Sequence, residues 1–130
     1  MARILLIDDE AAIASANQVA LTAGGHEVTV TPNAGDGLAA AGRERPEVVV
    51  LEAYLDGRAV GLNLCRELSR RSGAKVIVLT RLDEHLTHEA RVAQDRDGGW
   101  IAADLYLQKP LTPALLLDQV DHLLHEAHRS

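Results

Sequence analysis

The run Ile4-Leu5-Leu6-Ile7-Asp8-Asp9-Glu10 decides the fold. Consecutive branched aliphatics of this length suit a strand buried on both faces, and the acids that follow end it abruptly. The same grammar recurs down the chain. Residues 28–30 alternate Val with Thr, residues 48–51 are wholly aliphatic and close on Glu52, and residues 76–79 close on Thr80. Residues 104–107 are less apolar and read as an edge strand, with Lys109-Pro110 just beyond.

The intervening segments have helical spacing. Residues 11–23 carry Ile13, Ala16, Val19, Ala20 and Ala23 close to one face at 3.6 residues per turn, and Gly24-Gly25 supplies a stop. Residues 35–43 are short and Ala-rich, with Pro46 before the next strand. Residues 62–71 carry Leu64, Cys65 and Leu68 and end at Ser72-Gly73. Residues 83–95 form a polar helix candidate. Residues 113–125 open with Thr112 as N-cap and Pro113 at the first helical position. Strand and helix thus alternate five times, which predicts an α/β fold: a five-stranded parallel sheet, helices on both faces, right-handed crossovers.

Composition narrows the function. A chain of 130 residues with 47% hydrophobic residues forms one domain, 1–130, with a full core. Only 2% of residues are aromatic, so Val, Ile, Leu and Ala must pack it. A net charge of −6 argues against direct nucleic-acid binding. The lone Cys65 excludes an internal disulfide and favours a reducing compartment, and no apolar run reaches the roughly 20 residues of a membrane span. A cytoplasmic location follows as the expectation.

In folds of this kind ligands bind beyond the carboxyl ends of the strands. There the topology gathers Asp8 and Asp9, Glu52, Thr80 and Lys109. Singly each has a plain reading: acids cap the next helix, threonine belongs to a turn, Lys-Pro is a loop dipeptide. Together they make an acidic pocket with an excess of negative charge, which a hard divalent cation or protonation of one carboxylate would relieve.

These runs, with Pro46-Glu47-Val48-Val49-Val50-Leu51 and Ala103-Asp104-Leu105-Tyr106-Leu107-Gln108-Lys109-Pro110, resemble the receiver domains of two-component response regulators over essentially the whole chain. The resemblance implies a flavodoxin-like sheet of order 2-1-3-4-5 in a bacterial phosphorelay. It implies an aspartate ending the third strand that takes phosphate from a kinase phosphohistidine. It further implies Asp9 as direct Mg²⁺ ligand, Asp8 as its neighbour through water, and Glu52 and the backbone carbonyl of Tyr54 as further ligands. Thr80 and Tyr106 would be the switch residues, and Lys109 the phosphate-contacting cation.

Glu52 stands where the phosphoacceptor aspartate belongs. The extra methylene displaces the carboxylate, and phosphoryl transfer tolerates such misplacement at a cost of about 10²-fold. The expectation is therefore an atypical receiver, a pseudo-receiver that signals through protein–protein interaction without conventional phosphorylation. It would not be an enzyme beyond residual self-phosphorylation and dephosphorylation. The alternative is a Mg²⁺-dependent acceptor using Glu52 or the nearby Asp56. A third reading, a haloacid-dehalogenase-type phosphatase, needs Asp-x-Asp at strand one, where this chain has Asp8-Asp9-Glu10.

Other departures bear on partners. Asp56 occupies a usual proline position, and Gly61 sits one residue later than in the family's loop. The stretch from Thr80 to Lys109 is longer than in typical receivers by roughly two helical turns. The extra material falls at residues 89–102 and includes Trp100, read equally as a partner-surface anchor or as a plug over an enlarged fourth helix. The expected partners are a sensor kinase or a downstream effector. Homodimerisation is expected through the fourth helix (residues 83–95), fifth strand and fifth helix, the last carrying more leucine than one core face needs. With one helix after Lys109, the chain is a stand-alone receiver or a piece of a longer protein. His85, His88, His122, His125 and His128 recur at three-residue intervals but lie in charged segments, so a metal site there is disfavoured. Cys65, beside Leu64 and Leu68, reads as a core residue.

Overall fold

The computed structural model describes residues 2–53, 55, 61–81 and 103–129. Its elements run β1 (Arg3–Ile7), α1 (Ala11–Ala23), β2 (Glu27–Thr31), α2 (Ala34–Glu44), β3 (Val48–Glu52), α3 (Gly61–Ser72), β4 (Lys75–Arg81), β5 (Leu105–Lys109) and α4 (Pro113–Arg129). The candidate helix at 83–95, the residues 89–102 with Trp100, and Tyr54 and Asp56 lie outside the described residues.

The five strands are all parallel in the order β2-β1-β3-β4-β5, the flavodoxin-like topology expected. Registers place Ile4 beside Val28 and Val48, Val50 beside Ile77, and Ile77 beside Leu105. β5 is an edge strand, shifted one residue from its expected start and running on through Lys109.

Period-two alternation splits the core into two layers. Leu5, Ile7, Val49, Leu51, Val76 and Val78 face α2 and α3, where Ala40, Ala41, Leu64, Cys65 and Leu68 complete the packing. Ile4, Leu6, Val48, Val50, Ile77 and Leu79 face α1 and α4, meeting Leu21, Leu116, Val120 and Leu124. Small residues let the first layer close tightly: a Cβ at Gly37 would enter the Ile7 side chain.

The helix ends carry the expected chemistry. Asn33 accepts the Asp36 amide at 2.8 Å to cap α2, and Thr112 Oγ1 accepts the Leu115 amide at 3.1 Å to cap α4. Gly73, at φ 70°, takes the left-handed turn after α3 that a side chain would strain.

One expectation about a helix face needs correction. In α1 the buried residues are Ala14, Asn17 and Leu21, while Ile13 and Val19 are 37% and 67% exposed and Ala16 and Ala23 also face outward. The helix has no charged residue, so spacing alone does not choose between the two sets. Contact does: Leu21 fills the second layer, and Gly24 passes so close to Leu117 that a Cβ would lie 2.6 Å from Leu117 Cδ1. In α4 the leucines divide between the core and the surface. Leu116, Val120 and Leu124 are buried, Leu117 and Leu123 pack partly against them, and Leu115 is exposed.

Candidate functional site

The alternation that splits the core also builds the site. Asp8 follows Ile4 and Leu6 on the α1–α4 side of β1, Glu52 follows Val48 and Val50 on β3, and Lys109 follows Leu105 and Leu107 on β5. Leu6, Asp8, Asn17, Val50, Glu52 and Leu79 line one crevice between the strand ends and α1.

Glu52 is the deepest charged group among the described residues, with 3% of its side chain exposed, and Lys109 is 10% exposed. The Lys109 ammonium donates a hydrogen bond to Glu52 Oε2, forming a buried ion pair. Asp8 is 6% exposed, and its Oδ1 accepts the Glu10 amide at 2.9 Å. Burial holds the Asp8 carboxyl above its ordinary value; the Glu10 amide and Lys109 pull the other way, and the charges of Glu10 and Asp9 add to the rise. Asp9 itself is exposed.

The structure therefore brings Asp8, Glu52 and Lys109 together and leaves Asp9 at the rim. Thr80 pairs in register with Gln108, and Tyr106 with Val78, which places Thr80 on β4, between the strands of Glu52 and Lys109, and Tyr106 on β5, the strand of Lys109. Ala53 donates its amide to the Leu79 carbonyl at 3.0 Å and continues the β3–β4 pairing past Glu52. Tyr54, the expected carbonyl ligand, lies outside the described residues.

The family resemblance implies Mg²⁺ at this site. A hard cation needs several converging oxygens. Among the described residues no group of three or more His, Cys, Asp and Glu is placed to hold a metal ion. One oxygen of Glu52 is taken by Lys109 and one of Asp8 by a backbone amide. Beside Glu52 the compensating positive charge is the Lys109 ammonium.

Two buried polar residues escape a reading of the sequence. Asn17 is 6% exposed, lines the crevice with Asp8 and Glu52, and has no hydrogen-bond partner among the described residues. The 14-17-21 spacing was its available signal. His26, 8% exposed, accepts the Ala2 amide on Nδ1 at 3.1 Å and so carries its proton on Nε2, which donates to Asp121 Oδ1 at 2.8 Å. It ties the start of β2 to α4, at the end of the sheet away from the acids. His122 pairs with Glu126 at 3.1 Å along α4.

Comparison with known proteins gives one answer. Residues 4–121 match the family model for the response regulator receiver domain. The chain is 32% identical over 127 residues to "Probable transcriptional regulator ycf27" of Pyropia yezoensis, covering 98% of this chain and 49% of that protein. It is 30% identical over 129 residues to "Transcriptional regulatory protein AfsQ1" of Streptomyces coelicolor, covering 99% of this chain and 54% of that one. The chain thus spans about half the length of the curated relatives it matches. Among solved structures it is similar to a CheY-like receiver domain protein from Methanospirillum hungatei, with a TM-score of 0.80 and 30% identity over 98% of this chain and 96% of that one. It is also similar to NtrX from Brucella abortus, with a TM-score of 0.79 and 27% identity over 98% of this chain and 28% of that one.

Proposed function

The chain belongs to the response regulator receiver domain family, and on that premise we propose that it is a pseudo-receiver, signalling by protein contact without conventional phosphorylation. The observation that supports this reading is the buried pair of Glu52 and Lys109. Glu52 takes the acceptor position, and its longer arm delivers a carboxylate oxygen to the lysine that, by the family resemblance, would meet a phosphoryl oxygen. The acceptor carboxylate is thereby engaged by its own domain, and the negative charge that a phosphoryl group would bring beside Lys109 is already present.

Thr80, on the strand between the two partners, and Tyr106, on the strand of Lys109, are then the positions through which that charge is read. No turnover is required of the site. The partner is a sensor kinase or an output module. The relatives named as transcriptional regulators point to an output module that acts on transcription, any contact with DNA being made outside this acidic domain. A cytoplasmic setting fits such a partner, and no helix among the described residues is long and apolar enough to cross a membrane.

Incubation with acetyl phosphate and Mg²⁺, followed by intact-mass measurement, tests the proposal. Wild type is expected to take no stoichiometric phosphoryl adduct, while Glu52→Asp gains a labile one. A stoichiometric labile adduct on wild-type Glu52 or on Asp56 would restore the conventional receiver and overturn the reading.

A further inference from the structure

His26 is a buried titratable group at the end of the sheet away from the acidic pocket. It pairs with Asp121, and the two side chains are 6% and 53% exposed. Three connections meet at this residue. Its Nδ1 accepts the Ala2 amide at 3.1 Å, its Nε2 donates to Asp121 Oδ1 at 2.8 Å, and its own amide donates to the Leu21 carbonyl at 3.2 Å. The first ties it to the start of β1, the second to α4 and the third to the end of α1. Glu27, next in the chain, donates its amide to the Ala2 carbonyl at 2.9 Å and so begins the β1–β2 ladder.

The arrangement suits one form of the ring. A neutral imidazole has one acceptor nitrogen and one donor, and both are used here. A second proton goes to Nδ1, where the lone pair holds the Ala2 amide, and turns both nitrogens into donors. Donor then faces donor in a buried place, and the bond is lost without replacement. A half-turn of the ring puts carbon at both positions and gives up Asp121 as well. Asp121 pulls the other way, since a carboxylate attracts an imidazolium, but it is half exposed and water screens it. On the same helix, exposed Asp118 and His125 lie one turn to either side of Asp121, and His122 is paired with Glu126. Arg3, Glu27 and Glu47 border Ala2 around an open cleft, with Arg3 bonded to the Glu44 carbonyl at 2.8 Å. α1 brings no charged side chain.

We propose that His26 is a proton-operated latch: neutral, it holds the start of β1 against α4, and its protonation opens this end of the sheet while the middle of the sheet stays folded. The opened form binds one proton more than the closed one. The closed form is therefore favoured on the alkaline side and lost as pH falls through the ordinary imidazole range, about pH 8 to 5. The latch stands apart from the Glu52–Lys109 pair, which lies beyond the carboxyl ends of the strands. The amino end of the sheet then answers to protons whatever the carboxyl end is doing.

Nitrogen-15 NMR of the whole chain tests this. On the alkaline side, near about pH 8, the His26 ring is expected as the Nε2–H tautomer. On acidification the protection of the Ala2 and Glu27 amides against hydrogen exchange should fall, by up to about tenfold per pH unit because one proton enters per opening. The Val49 amide, in the middle of the sheet, should keep its protection. His26→Gln, neutral at every pH, should make the protection of Ala2 and Glu27 independent of pH. Asp121→Asn, at an exposed position, keeps an acceptor for Nε2–H but removes the counter-charge, and should move opening to higher pH. An Nδ1–H tautomer overturns the proposal, as does wild-type protection that ignores pH or a fall that persists in His26→Gln. A shift to lower pH in Asp121→Asn overturns it too. So does protection lost at Val49 in step with Ala2, which is unfolding of the whole domain.

Discussion

Lys109 closes on the Glu52 carboxylate at the rim of the sheet, with 10% and 3% of their side chains exposed. Both groups have given up most of their hydration, so each depends on the other. Removing one partner of such a pair leaves a buried charge uncompensated, at a cost of about 3–5 kcal/mol.

Lys109→Met is therefore expected to destabilise the domain by about that amount in urea unfolding. Glu52→Gln in the same background should recover a large part of the loss, because the orphaned carboxylate goes with it. Strict additivity of the two substitutions would show that the pair is not formed in solution.

Asp8 carries a pH signature of opposite character. Its carboxyl is raised by burial, so the folded state favours the protonated form. Stability from that preference is fully present below the unfolded carboxylate value and is lost as pH rises through the folded one. Asp8→Asn, neutral at every pH, should therefore raise Tm at neutral pH in the presence of EDTA. The gain should shrink toward zero as pH falls below the ordinary carboxylate range. A gain that is constant with pH would assign it to packing.

Most of the architecture was legible because parallel strands announce themselves. The aliphatic runs at 4–7, 48–51 and 76–79 fit no other buried element of that length, and the acids, threonine and lysine beyond them follow from topology alone. What spacing did not settle was rotation. α1 offers two uncharged faces, and the choice of Ala14, Asn17 and Leu21 over Ile13, Ala16 and Val19 depends on Leu117 and the sheet, which are distant in sequence. His26 was hidden for the same reason. Its partners, Ala2 and Asp121, are 24 and 95 residues away. At the site the residue types were readable, and the meeting of Glu52 with Lys109 is a matter of side-chain reach.

Cys65 gives a probe of opening. It is buried against Leu64 and Leu68, and burial, with the charge of Asp104 adding to it, pushes the thiol up to about 12. Since the thiolate is the reactive form, a disulfide reagent at pH 8 should modify native protein only as fast as the domain opens. Adding urea below the transition should accelerate labelling in step with unfolding. Rapid labelling of the native state would mean that α3 opens locally.

Asn17 offers the sharpest test of the crevice. The residue is 6% exposed and, among the described residues, its carboxamide has no hydrogen-bond partner, although Leu6, Val50 and Leu79 line the same space. A buried amide left without a bond costs about 1–3 kcal/mol, and leucine has nearly its shape with no polar atoms. Asn17→Leu is thus expected to stabilise the domain by roughly that amount, less any strain from added volume. Urea midpoints at unchanged slope measure it. Because Asp8 and Glu52 share the crevice, the same substitution should lower the polarity around both carboxylates, and carbon-13 carboxyl shifts of the two residues would record the change. A loss of stability on Asn17→Leu would show instead that the amide is satisfied in solution, with one of those carboxylates the partner within reach.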